Sequence, residues 1–346
     1  MSMNLKELSI KLGLSQTTVS RALNDYPEVN EATRIRIKKA ANKYNYRPNT
    51  RAKGLATGRT MSIGHVIPIS TQHEIVNPIF ADFIAGAGEV YASNGYDMHL
   101  SVVPDIDEER CYRELAIKRS VDGVIVHGPL ENDPRIALLK EVGLPFVVHG
   151  RVGDGDADYN WVDVNNKSAF QRAAEFLLDL GHFRIALING VETMDFARRR
   201  REGFSKAFNI RGMGCDPDIM FSEEMTEDYG YRVATKLLAT DRPPTAFLIS
   251  SMITAIGVRR AVSDLGLRLG TDISIIIHDD VLSYLKNGES VPIFTATRSS
   301  VRQAGQLCAK MLLTVIQNPN HSLQQNLLDA ELVVGQSTGP AQTQAG

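Results

Sequence analysis

The sequence predicts a small all-α head, over residues 1–48, joined by a linker at 49–60 to an α/β core at 61–340. Three observations carry that prediction. Charge is unevenly divided: residues 1–60 hold twelve Lys and Arg against four Asp and Glu, a net of +8, whereas residues 61–346 hold 26 against 36. Apolar residues recur at helical spacing as far as Tyr44 and then, from Met61, give way to short apolar runs alternating with amphipathic stretches. The 346 residues also exceed what one ordinary core organises and suit a small domain beside a large two-lobed one.

In the head, a first helix is predicted from Asn4, a plausible N-cap, to Leu12, with Leu5, Leu8 and Leu12 on one face. Gly13 permits the left-handed turn that stops it, and Ser15 can cap a second helix from Gln16 to Leu23. That helix is expected to bury Val19 and Leu23. A loop at 24–27 leads to a third helix, from about Asn30 to Tyr44, carrying Ile35, Ile37, Ala40 and Ala41. Pro48 breaks the chain, and residues 50–57 form a helix too short to be stable alone.

In the core, strands are expected at 62–67, 97–103, 123–127, 146–149, 184–188, 246–249 and 273–277. Helices are expected at 79–94, 108–119, 167–180, 198–208, 229–239, 254–265 and 301–316. Such alternation over about 285 residues implies two parallel sheets, each covered on both faces. The residues after Val334 read as a short polar tail. No run approaches the ~20 apolar residues of a membrane span. The first twelve residues carry Lys6, Glu7 and Lys11 and no apolar export segment, so a cytoplasmic protein is expected.

Three widely spaced cysteines, Cys111, Cys215 and Cys308, allow neither a disulfide framework nor a CxxC site, and the eight histidines show no metal spacing. Gly335-Gln336-Ser337-Thr338-Gly339 fits a nucleophile-elbow pattern but lacks the downstream acid and histidine. The stretch from Asp154 to Asn160 resembles the start of a calcium loop, yet Tyr159 stands where that loop needs Gly. No metal, cofactor or catalytic residue is therefore expected.

The head carries the chemistry of reading DNA. Gln16 and Thr17 lead the second helix, where Gln can pair bidentately with adenine and Thr can touch a base edge or a thymine methyl. Thr18, Ser20, Arg21 and Asn24 are placed for phosphates. In the marginal helix of the linker, Asn49, Ala52, Lys53 and Leu55 are expected at the minor groove, with Leu55 wedged between base steps. A net charge of +8 beside an acidic body fits binding of a polyanion at one end only.

The runs LGLSQTTVSRALN, VNEATRIRIKKAANKYNYRPN and NTRAKGLATG in the head resemble the lactose-repressor/galactose-repressor (LacI/GalR) family of bacterial regulators. In the core, VDGVIVHGP, FLLDLGHFRIALING and RREGFSKAF follow in the family's order, and the resemblance covers residues 4 to about 338. It implies two periplasmic-binding-protein-like lobes of type I, the first about 61–162 and 293–322, the second about 163–292 and 323–340. The chain would cross between them near Trp161, Val291 and Ser322. An effector, expected to be a sugar or glycoside, would lie in the cleft.

By position, the resemblance implies effector contacts from Phe80, His149, Arg151, Trp161, Arg200, Ser251 and Asp279. Arg200 would clamp hydroxyls or carboxylates, unless it is one more charge in the run 198–201. Asp279 would take sugar hydroxyls, or else cap the following turn. Trp161 reads equally as a stacking platform and as a crossover residue. The family often has Asn-Asp where this chain has Ser251-Met252, which alters the hydrogen bonding open to an effector, and Asp-Asn where it has Asn165-Asn166. The implied function is a repressor, not an enzyme, that binds a near-palindromic operator as a homodimer, with the helix at 79–94 as a dimer element. Effector binding would shift the lobes and hinge helices, a coupling typically worth about 1–3 kcal/mol.

Overall fold

The computed structural model describes residues 3–23, 26–46, 58–68, 77–153, 155 and 157–342. Two compact units are present, a helical one at Met1–Met61 and an α/β one that takes in nearly all the rest.

The helical unit holds α1 (Leu5–Leu12), α2 (Gln16–Leu23) and α3 (Glu31–Lys43). Asn4 closes a capping box with Glu7: Glu7 N donates to the Asn4 side chain at 2.9 Å, and Asn4 N donates back to the Glu7 carboxylate at 3.0 Å. Gly13, at φ 65, makes the left-handed turn that ends α1. Leu8, Val19, Ala22 and Ile37 are fully buried and form the centre of a small core. Ala22 thus takes the central place expected of Leu23, which is only partly buried. Ile35 is 48% exposed, because the stripe of α3 that faces the core runs through Ile37 and Ala41. The expected hinge helix at 50–57 lies outside the described residues.

The α/β unit is two six-stranded sheets. The first contains β1 (Ser62–Pro68), β2 (Asp97–Val103), β3 (Gly123–His127), β4 (Phe146–His149), β5 (Trp161–Val164) and β11 (Gln325–Leu328), in the order β11-β5-β4-β3-β1-β2, all parallel. The second contains β6 (Ile185–Asn189), β7 (Met220–Ser222), β8 (Ala246–Ile249), β9 (Ser274–Asp279), β10 (Thr295–Arg298) and β12 (Glu331–Val333). Its order is β12-β10-β9-β8-β6-β7, with only β12 antiparallel. Helices α4 (Pro78–Ser93), α5 (Glu108–Ile117), α6 (Pro134–Glu141) and α11 (Val301–Gln317) cover the first sheet. Helices α7 (Asn166–Asp179), α8 (Asp195–Ile210), α9 (Glu227–Leu238) and α10 (Met252–Asp264) cover the second.

The lobe crossings come later than expected. β5 stays in the first sheet through Val164, β10 pairs in the second sheet, and β11 returns to the first, so residues 295–298 belong to the second lobe and 325–328 to the first. Each crossing strand pairs along its whole length and changes lobe only beyond its carboxyl end. Trp161 therefore opens a strand and is not a crossover. The expected polar tail is stitched to the second sheet: Ile275 N donates to Ser337 O at 2.8 Å and Thr295 N to Ser337 Oγ at 2.9 Å. The buried Ser337 hydroxyl in turn donates to Ile275 O at 2.5 Å, so it is a structural bracket.

Candidate functional site

In the helical unit, Ser15 begins α2 by accepting from Thr18 N at 3.0 Å. Its hydroxyl also lies 2.9 Å from that of Thr18, so the Thr18 hydroxyl is already engaged within the cap. Gln16, Thr17 and Arg21 are exposed, and Thr18 and Ser20 half-buried, on the side of α2 away from Val19 and Ala22. Arg36 ties α3 to the end of α1 by donating to Leu12 O at 2.9 Å, and Lys11 lies 4.3 Å from the centre of the Tyr44 ring. The result is a three-helix frame with a polar helix N-terminus left open. Asn24, Asn49, Ala52, Lys53 and Leu55 lie outside the described residues.

In the α/β unit, the carboxyl ends of β1, β3 and β4 face those of β6, β8 and β9 across a cavity of about 790 Å³. This is where parallel sheets bind ligands. Of the residues expected there, Phe80, His149 and Arg200 line it.

Arg200 is the anchor of the second-lobe wall. Its Nε donates to Asn166 Oδ1 at 2.8 Å and its Nη1 to Ser250 O at 2.7 Å. Phe170 and Phe196 each lie 5.0 Å from the guanidinium by ring centre. Gly203 makes this placement possible, because a Cβ there would come within 2.1 Å of Lys167 O and hold α8 off α7. Burial brings the guanidinium down to about 10, opposed by Asp280 and Asp163.

Four expected contacts are corrected by the structure; among the described residues none of them lines the cavity. Asp279 points away: its Oδ1 accepts from Val281 N at 2.9 Å and its other oxygen lies 3.5 Å from Arg298 Nε. The carboxyl at the cavity is Asp280, since alternate residues of an extended chain share a face and His278 and Asp280 therefore project together. Ser251 is fully buried and caps α10 by accepting from Thr254 N at 3.2 Å. Trp161 is buried in β5 with the Arg151 guanidinium 5.4 Å from its ring centre. Arg151 reaches the cavity only through Asp163, which it holds at 2.9 Å.

Asp163, Asn166, Asp280 and the two histidines His127 and His278 are lining residues that sequence reasoning did not find. Burial raises Asp163 to about 6, with Arg151 opposing, and raises Asp280 to about 7, with Arg200 opposing. Burial lowers His149 to about 4 and drives His127 and His278 well below the usual imidazole range. The imidazoles are thus neutral near pH 7. No group of three metal-ligating side chains is present among the described residues.

A helix-turn-helix head and a two-lobed core with a cavity between the lobes define a DNA-binding transcription regulator. Residues 4–49 match the family model "Bacterial regulatory proteins, lacI family", and residues 174–338 match a periplasmic binding protein-like domain. The HTH-type transcriptional regulator AglR of Rhizobium meliloti (strain 1021) is 48% identical over 343 residues, which is 99% of this chain and 96% of that protein. RafR of Escherichia coli is 32% identical over 80% of this chain and 82% of its own length. Among solved structures, a lac repressor dimer bound to operator and the anti-inducer ONPF superposes with a TM-score of 0.81 at 25% identity, over 98% of this chain and 100% of that one. A CelR–cellobiose complex gives 0.71 at 26% identity, over 97% and 99%. The chain belongs to the lacI family of bacterial regulatory proteins, as its sequence had implied.

Proposed function

We propose that this regulator represses genes for the uptake or breakdown of a neutral sugar or glycoside, which it binds in the 790 Å³ cavity. The observation that carries the proposal is how the cavity's charges are already matched. Among the described lining residues, Arg135 is held by Asp133 and Glu108, and Arg200 donates to Asn166 and to Ser250 O. An anionic ligand would have to displace these bonds to reach a guanidinium, and would lie near the carboxyls of Asp163, Glu224 and Glu227, whereas hydroxyls meet acceptors and neutral imidazoles. The solved CelR complex, which holds cellobiose, supports the same ligand class.

The head, 1–48, is proposed to read a near-palindromic operator through Gln16 and Thr17, with Thr18, Ser20 and Arg21 toward phosphates. Two heads on such an operator require a homodimer, as in the lac repressor structure bound to its operator. The linker 49–60, with Leu55 at the minor groove, is proposed to couple the head to the core, which spans 61–340. No helix among the described residues is long and apolar enough to cross a membrane; the family's other members are DNA-binding regulators, and a cytoplasmic regulator without catalytic activity is proposed on that ground.

Calorimetry with cellobiose, maltose and raffinose, set against glucuronic acid and glucose 6-phosphate, tests the ligand class. At least one neutral sugar should bind, and the two acids should bind at least 100-fold more weakly; tighter binding of either acid would overturn the reading. Gel shifts on the DNA upstream of the chain's own gene test the head. Thr17→Ala should lower affinity for the preferred sequence about ten-fold, the scale of a lost base contact, while leaving binding to random duplex unchanged.

A further inference from the structure

Behind the first-lobe wall runs a buried polar chain. His65 lies on β1, Tyr91 on α4 and His127 at the end of β3. His65 Nδ1 is 2.9 Å from His127 Nε2, and His65 Nε2 is 3.2 Å from the Tyr91 hydroxyl. His65 is fully buried, and His127 lines the cavity. No hydrogen bond from a described residue occupies the Nδ1 of His127. Phe80 and Phe83 meet the His127 ring edge-on, with ring centres 5.1 and 4.8 Å away, and hold its plane.

We propose that His127 is a specificity-determining contact to the effector, and that His65 and Tyr91 are positioning residues that set whether it donates or accepts. The proposal rests on the reading of the cavity as the effector site. A neutral imidazole has one N–H and one lone pair. Burial keeps both rings neutral near pH 7, bringing His65 down to about 3. Only two arrangements then satisfy both internal hydrogen bonds. In the first, the Tyr91 hydroxyl donates to His65 Nε2, His65 Nδ1–H donates to His127 Nε2, and His127 Nδ1–H donates into the cavity. In the second, His127 Nε2–H donates to His65 Nδ1, His65 Nε2–H donates to the Tyr91 oxygen, and His127 Nδ1 accepts from the cavity. Any other combination sets two N–H groups or two lone pairs against each other in a dry interior. The two rings therefore always share a tautomer, and the wall can match a ligand donor or a ligand acceptor without moving an atom heavier than hydrogen.

Ring ¹⁵N shifts of the full chain labelled with [¹⁵N]histidine, with no ligand, test the coupling. His65 and His127 should report the same tautomer. In Tyr91→Phe, which takes away the partner of His65 Nε2, both should report Nδ1–H, with His278 unchanged. Opposite tautomers in the wild type, or any Nε2–H at His127 in Tyr91→Phe, would overturn the proposal.

Calorimetry with whichever of cellobiose, maltose and raffinose binds, and with its singly deoxyfluorinated analogues, tests specificity. Fluorine cannot donate, so where the wild type shows Nε2–H and His127 Nδ1 accepts a ligand hydroxyl, Tyr91→Phe should lower the affinity ratio of parent to analogue at least ten-fold at that position. Where the wild type shows Nδ1–H, the ratios should stay put in Tyr91→Phe and affinity should fall at least ten-fold in His127→Phe. The reverse of either pattern would remove the specificity role. A chain that binds no sugar would sink the effector reading and leave the tautomer comparison to be decided on its own.

Discussion

The two lobes repeat one architecture, a mostly parallel six-stranded sheet between helices, yet their central strands bring opposite chemistry to the same cavity. In the first lobe, β3 and β4 end in His127, buried, and His149, half-buried, both neutral among Phe80 and Phe83. In the second, α8 and the residue after β9 supply Arg200 and Asp280, a guanidinium and a carboxyl that temper each other's burial. The difference teaches that the fold fixes where a ligand sits, while the residues at the strand ends fix what it must look like. The imidazoles of the first wall select by the direction of hydrogen bonds. The Arg200–Asp280 pair of the second selects by charge and is tied to the first lobe by a polar chain running from Arg151 through Asp163 and Asn166 to Arg200.

If the second-lobe wall depends on a single anchor, removing it should have the largest effect. Arg200→Met leaves Asn166 Oδ1 and Ser250 O without their donor and Asp280 without its opposing charge. Breaking a buried charge network in this way costs about 3–5 kcal/mol. Effector affinity should fall at least 100-fold, and urea unfolding should move to lower denaturant. Affinity within three-fold of the wild type would show that the anchor lies elsewhere.

The two kinds of cavity group, histidine and carboxyl, should also respond to pH with opposite signs. A histidine whose folded pKa lies below 6.5 is stabilising when neutral, so its contribution is present above pH 6.5 and is lost as the unfolded chain takes up protons below it. His65, His127, His149 and His278 all act in this direction. Asp163 and Asp280, raised to about 6 and 7, act the other way, because the folded chain holds their protons longer and stability falls as pH rises from about 4. One proton corresponds to about 1.4 kcal/mol per pH unit. Urea midpoints between pH 4.5 and 6.5 should therefore rise with pH less steeply in His149→Asn than in the wild type, and more steeply in Asp280→Asn. Equal slopes in the two variants would erase the contrast between the two kinds of group.

The same contrast separates what the sequence could reveal from what it could not. The head was legible because its signals are local: Asn4 with Glu7, Gly13 and Ser15 mark the helix ends within a few residues of where they act. The long strands and helices were legible by period. The strands β7 and β12, three residues each, are too short to show one. Helix α6 was missed because Ile136, Leu138 and Leu139 follow no single stripe. The cavity was half legible. Arg200 stands out in a basic run, but His65 and His127 lie 62 residues apart and meet only through the sheet. Asp279 was chosen over Asp280 because position in a motif does not say which way a side chain faces.

The neighbouring pair Asp279 and Asp280 yields the smallest expected effect and the sharpest test of strand alternation. Val281 adopts φ 55, a backbone region that is costly for a β-branched residue. Asp279 steadies it by accepting from its N–H, and Arg298 lies beside the other carboxylate oxygen. An Asn side chain can still accept from that N–H. Asp279→Asn should therefore change effector affinity by less than three-fold and lower stability by about 1 kcal/mol, the scale of one weakened hydrogen bond to a charged group. Asp280→Asn, one residue along and on the other face, should change affinity more than ten-fold. Titrating both variants with the same sugar decides between them. If Asp279→Asn proved the more damaging, the carboxyl that meets the ligand would be the one beside Val281, and the facing of the residues that close β9 would have to be redrawn.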